Sequence, residues 1–155
     1  FYNKKLLMSC SGLRFSNELK ETKKKLKKIG KINFLIANIT NDLEKYSVHL
    51  LEVIQALGIL KVKKVTKLKN KYDSFYLELE NKKYLLLNCL GKKIAINNLQ
   101  IYCEKGYIDV NFKDNFNAFR NTLIEFTKLI KKKKVSFSFK DTFCIINTII
   151  KLKKL

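Results

Sequence analysis

The chain has 155 residues and a formal net charge of +20, from 33 basic and 13 acidic side chains, with 46% of its residues apolar. That apolar share and that length suffice for a folded core without disulfides or metals, which excludes a disordered basic tail. The basic residues run from Lys4 to Lys154, and all but Arg14 and Arg120 are Lys, a self-repulsion that points to a polyanionic partner.

Composition is skewed in a second way. Pro and Trp are absent and Gly is scarce, while Lys, Asn, Ile, Leu, Phe and Tyr are abundant. These are the residues of A/T-rich codons, so the sequence suggests an organellar gene, mitochondrial first and plastid second. Cys10, Cys89, Cys103 and Cys144 are far apart, and His49 is the only histidine. Clustered metal ligands are therefore lacking, and four reduced thiols with no metal and no cofactor are expected. The apolar runs fall short of the ~18 residues of a membrane span, and FYNKKLLMSCSGL lacks the apolar centre of a signal peptide, so no membrane partner is expected.

In chain order, Ser16 caps a helix through NELKETKKKLKKI, stopped at Gly30, with Glu18 and Glu21 early and lysines late. Its apolar positions, Leu19, Leu26 and Ile29, make it a basic helix lying on something else. The spacing of Ile32, Leu35, Ile36, Ile39 and Leu43 predicts a second helix from Lys31 to Glu44. Ser47 is read as the cap of a third, VHLLEVIQAL, ended by Gly58. Alternation in LKVKKVTKL and SFYLELE around KNKYD predicts a hairpin. Strands follow in KYLLLNC, KKIAI, LQIYC and YIDVNF. Asp114 or Asn115 caps a fourth helix, with Phe116, Phe119, Leu123, Phe126 and Ile130 expected in the core. VSFSF and TFCIINTII read as closing strands.

The sum is an α+β protein. Residues 1–30 form a basic extension carrying one helix, 31–82 an α-α-β-β lobe, and 83–155 a mostly β lobe with one helix.

Chemistry is sparse in this pattern. His49 borders an apolar stripe with no evident orienting partner, so it reads as structural, and no catalytic residue is expected. Asp109, Asp114 and Asp141 would serve a nuclease only if they converged, and each sits where Asp caps or ends an element. No Gly-rich phosphate loop, G-x-S-x-G or H-E-x-x-H occurs. Tyr72, Tyr76, Tyr84 and Tyr107 suit either base stacking or cross-strand pairing.

FLIANITND, with Ile39, Thr40 and Asn41 in an Ile-x-Asn turn, then Ser47 before HLLEVIQALGIL, then KVKKV and SFYLELE, resembles the amino-terminal lobe of the universal small-subunit ribosomal protein eight family. Lys131 to Lys134 and Ile145-Ile146-Asn147-Thr148 stand where that family has a basic segment and the strand into an RNA-contacting loop, without the family's Pro-Gly and loop glycine.

The resemblance implies a non-enzymatic constituent of a mitochondrial small subunit, with ribosomal RNA and neighbouring ribosomal proteins as partners and no small-molecule substrate. It places Asn38, Thr40, Asn41, Ser47, Lys131, Lys132, Lys133 and Lys134 near RNA. Composition adds Lys61, Lys63 and Lys64 of the hairpin. Two alternatives remain. LLLNCLGKKIAINN with FRNTLIEFTKLI resembles the first domain of large-subunit ribosomal protein six, and the basic helix from Ser16 to Ile29 would suit a peripheral membrane protein.

Overall fold

The computed structural model describes residues 7–133 and 136–155. A short 3-10 turn, Gly12–Phe15, leads into α1 (Asn17–Ile29), and then follow β1 (Ile32–Ile39), α2 (Leu43–Ala56), β2 (Val62–Lys67), β3 (Asp73–Leu79), β4 (Lys83–Cys89), β5 (Asn97–Cys103), β6 (Gly106–Asn111), α3 (Asn115–Lys132) and α4 (Phe139–Lys153). The protein is α+β, with one six-stranded mixed sheet in the order β2-β3-β4-β1-β5-β6. Only β1 and β4 run parallel, joined by the crossover through α2, and β1 also pairs antiparallel with β5.

α1 is the helix the sequence promised. The Ser16 hydroxyl accepts the Leu19 N–H at 3.1 Å, and the helix stops at Gly30 with φ at 85°. A side chain at Gly30 would adopt a left-handed backbone and set its Cβ 2.8 Å from the Glu104 carboxylate, which accepts the Lys31 N–H. Gly30→Ala is therefore expected to destabilise the fold by about 1–3 kcal/mol, read as a lowered urea midpoint.

β1 corrects the largest expectation. INFLIANI is a central strand and not a helix, so there is no α-α-β-β lobe. Its apolar residues fall at both parities and satisfy a 3.6 period as well as a period of two. What decides is the pairing, since both edges of β1 are bonded and one parity (Leu35, Ala37, Ile39) is wholly buried under α2. Apolar residues on both faces mark a strand with neighbours on each side.

The hairpin forms as β2 and β3, and β4, β5 and β6 match the expected strands. KKIAI, by contrast, lies in the irregular link between β4 and β5. The closing strands are also corrected, although Val135 of VSFSF lies outside the described residues. Phe139–Lys153 is a helix, started by a reciprocal capping box between Ser138 and Asp141. Its β-branched residues favour strand, but Ile145, Thr148 and Leu152 form one buried stripe as the helix packs on α2. Packing outweighs propensity there.

α1, α2 and α4 pack on the sheet's buried face. α1 packs on β6, α2 on β1 and β4, and α4 on α2 and β2, while α3 rests against the Gly12–Phe15 turn. The core they enclose holds Leu35, Leu50, Ile54, Phe75, Leu77, Leu85, Leu87 and Ile101. α3 departs from expectation on the outside: Phe116 is 78% and Phe119 63% exposed, and Leu123 and Ile130 are exposed too. All of the stripe read as core faces outward except the half-buried Phe126, and the side with Ala118 and Leu129 is buried.

Candidate functional site

α2 starts earlier than Ser47. Asp42 caps it, its carboxylate accepting the Lys45 N–H at 2.8 Å. Ser47 is instead fully buried inside the helix, its hydroxyl bonded to the Leu43 carbonyl. Two residues on, His49 projects into a cleft of about 210 Å³ between α2, the Gly12–Phe15 turn and α3, with Asn97, Asn115 and Phe119 on the wall.

The imidazole is held on two sides. Nδ1 lies 2.8 Å from the Ser11 Oγ, and the Tyr46 ring meets it edge-on with centroids 5.7 Å apart. Ser11 is itself fixed, its Oγ accepting the Leu13 N–H at 3.3 Å. Burial lowers the His49 pKa from its ordinary 6.5, so the ring is neutral at neutral pH. Because the unfolded chain takes up this proton first, stability falls as pH drops below 6.5 and levels off beneath the folded pKa. An NMR titration of the one histidine is expected to give a midpoint under 6.5.

Beneath this cleft lies a buried ionic network. Arg14 contacts Glu52 at 2.6 Å and Asp141 at 3.2 Å, Gln55 donates to Asp141 at 2.9 Å, and the guanidinium covers the Phe137 ring at 4.3 Å. Burial raises the Glu52 pKa, against the opposing pull of Arg14 and of the Ser11 backbone N–H. Ser11 thus touches both the network and the imidazole.

The residues singled out in the sequence are scattered. Asn38 sits on β1, accepting from Asn88 at 2.8 Å. Thr40 gives its backbone N–H to Ile96, and Asn41 takes a left-handed turn bridged to Gly91. Asn41 borders a cleft of about 530 Å³ with Lys67, Lys71 and Lys92, but Asp42 and Asp73 share its wall. Lys61 pairs with Glu80 at 3.2 Å, and Lys63 and Lys64 are exposed on β2. Lys131 and Lys132 end α3, Lys133 is its left-handed cap, and Lys134 lies outside the described residues.

Asp109 and Asp114 border one cleft with Glu18, while Asp141 belongs to the Arg14 network, so the three do not converge. Among the described residues no three His, Cys, Asp or Glu side chains form a metal-binding group. The apolar side of α1 is occupied by protein: Leu19 is buried, and Leu26 and Ile29 pack against the core.

No family model matches the sequence, and no curated protein matches it. Solved structures do match. The chain is similar to apo scyllo-inositol dehydrogenase from Lactobacillus casei at 77 K, with 16% identity and a TM-score of 0.76 over 92% of this chain and 59% of that one. The same organism's scyllo-inositol dehydrogenase with bound NAD(H) and scyllo-inositol gives 14% identity and a TM-score of 0.77 over 92% and 60%. A probable dehydrogenase from Thermotoga maritima gives 14% and 0.74 over 92% and 60%.

The chain thus spans 59–60% of the length of these dehydrogenases. The likeness overturns the ribosomal reading, whose first helix is a strand. With it go the non-enzymatic assignment, the ribosomal RNA and ribosomal-protein partners, and the exclusion of a small-molecule ligand. The large-subunit and membrane alternatives find no support either.

Proposed function

We propose that this chain is the substrate-facing part of a dehydrogenase-type oxidoreductase, with His49 as its proton-transfer group. The observation that carries the reading is a neutral imidazole, oriented by Ser11 at the wall of a cleft, in a fold shared with inositol dehydrogenases. Oxidising an alcohol to a ketone removes a hydroxyl proton and a carbon-bound hydride. A neutral histidine within reach of the hydroxyl accepts the proton. When the Ser11 Oγ accepts the Nδ1–H, Nε2 carries the free lone pair and faces the ligand.

NAD(H), bound in two of the solved dehydrogenases, does not fit the described residues. A dinucleotide's pyrophosphate needs a glycine-rich strand-to-helix turn and an open helix N-terminus. Here the β1–α2 turn is Thr40-Asn41-Asp42, whose carboxylate caps α2. The other helices are closed as well: α1 by Ser16, α3 by Asp114, and α4 by Ser138 with Asp141. The hydride acceptor would be held by other residues, and this chain contributes the proton acceptor and a wall for the substrate.

Chain labelled with 15N, titrated with myo-inositol and scyllo-inositol, tests this. The His49 ring signals should shift and saturate with a polyol, and His49→Gln should abolish binding while leaving the circular dichroism of the fold native. Ring signals that stay put up to the solubility limit of both polyols would overturn the assignment.

A further inference from the structure

We propose that the free edge of β6 takes up an extended, lysine- or arginine-rich segment of a partner protein as a further strand of the sheet. β6 ends the strand order, and its register on β5 fixes which of its backbone groups are free. The Phe112 N–H donates to the Asn97 carbonyl across the ladder. Bonded and unbonded positions alternate in an antiparallel pair, so Gly106, Ile108 and Val110 bond to β5. Tyr107, Asp109 and Asn111 therefore turn their N–H and C=O groups outward, where no described strand receives them.

The sheet's other edge is built differently. β2 carries Lys63, Lys64 and Lys67, and its register on β3 breaks between Val62 and Lys64. Exposed lysines and an irregular register keep an edge strand from pairing with a further chain. β6 has neither. Gly106–Asn111 contains no Lys and no Pro and pairs with β5 without a break, and its one charge, Asp109, is an anion.

Charge selects the occupant. A cleft of about 480 Å³ lies between α1 and β6, and Glu18, Glu21, Asp109 and Asp114 line it against Lys25. These are four of the 13 acidic residues in a chain with 33 basic ones. One Glu18 oxygen accepts the Lys113 and Asp114 N–H groups, at 3.1 and 3.0 Å, and the other has no donor among the described residues. Glu21 is exposed and meets the equally exposed Lys24 at 2.8 Å. An acidic segment would be repelled here, whereas a basic one finds a carboxylate on either side of its backbone.

Sheet geometry sets the pattern of that segment. Tyr107 to Asn111 spans ~14 Å at ~3.4 Å per residue, so about five residues pair in register. Side chains opposite Ile108 and Val110 point to the side that packs under α1, where Glu18 and Glu21 stand. The side chain opposite Asp109 points to the other face, beside that carboxylate. Main-chain bonds to the three outward residues supply affinity, and the carboxylates supply selectivity.

Titrating 15N-labelled chain with a ten-residue peptide of alternating Thr and Lys tests this. The Tyr107, Asp109 and Asn111 amides should shift, saturate and exchange with solvent at least tenfold more slowly, while those of Ile108 and Val110, already bonded, change little. Glu18→Gln with Glu21→Gln should weaken binding about tenfold and leave circular dichroism native, and raised salt should weaken it too. A fully N-methylated peptide keeps its charges but cannot donate, so it should not bind the unaltered chain. That comparison stands even if the double variant fails to fold. Amides unmoved at millimolar peptide would overturn the proposal. So would equal binding of the N-methylated peptide, binding indifferent to the two Gln substitutions, or protection centred on β2. Slowed exchange at these amides without peptide, growing with protein concentration, would give the edge to a second copy and overturn it equally.

Discussion

Replacing Arg14 by Met is expected to destabilise the fold by about 3–5 kcal/mol, because it leaves a buried carboxylate without its cation. Glu52 has 3% of its side chain exposed and contacts Arg14 at 2.6 Å, on the helix that also carries His49. The same guanidinium holds Asp141, so one substitution loosens the Gly12–Phe15 turn, α2 and α4 together.

The loss should depend on pH with a definite sign. Burial places the folded Glu52 pKa above its ordinary 4.5, so the native state binds the proton more readily than the unfolded chain does. Ionisation as pH rises through that interval therefore costs stability, and without Arg14 the cost grows. The penalty should be largest at neutral pH and shrink in mildly acidic buffer. Asp141 acts in the opposite sense. Burial raises its pKa, but bonds from Gln55 and Ser138, with Arg14, outweigh that and hold it below 3.8. Its contribution is present above that value and fades as pH falls through the lowered one. Denaturant melts across pH would resolve the two, and Arg14→Met with Glu52→Leu should recover most of the loss.

What the sequence disclosed followed from chemistry local to it. Ser16, the Glu18 and lysine gradient and Gly30 delimit α1, and alternation with turn residues delimits the hairpin and the later strands. What it concealed was decided by contacts distant along the chain. INFLIANI fits either period until β4 and β5, about fifty and sixty-five residues downstream, flank it and make it a strand. TFCIINTII favours strand by propensity, and only its packing on α2 makes it a helix. The α3 stripe has the correct period, yet periodicity tells which residues share a face and not which way that face points.

The candidate site was harder still. Its one legible signal was a solitary histidine at the edge of an apolar stripe, which is ordinarily structural. The partner that orients it, Ser11, lies 38 residues away in a segment too short to read as an element. The excess of lysine pulled in another direction, towards a polyanion, because composition reports charge without saying which surface is free of it.

The test that most directly separates the observed β1 from the helix its periodicity allows is a pair of neighbouring truncations. Leu35→Ala should cost about 3–5 kcal/mol, since a wholly buried leucine under α2 loses its contacts and leaves a cavity. Ile36→Ala should cost roughly 1 kcal/mol, because its side chain stands half-buried on the open face. In a helix both residues would share the same apolar stripe and the two losses would be alike. In a strand they point to opposite faces, one into the core and one towards the face that the described helices leave open. Urea unfolding of the two variants measures the difference directly.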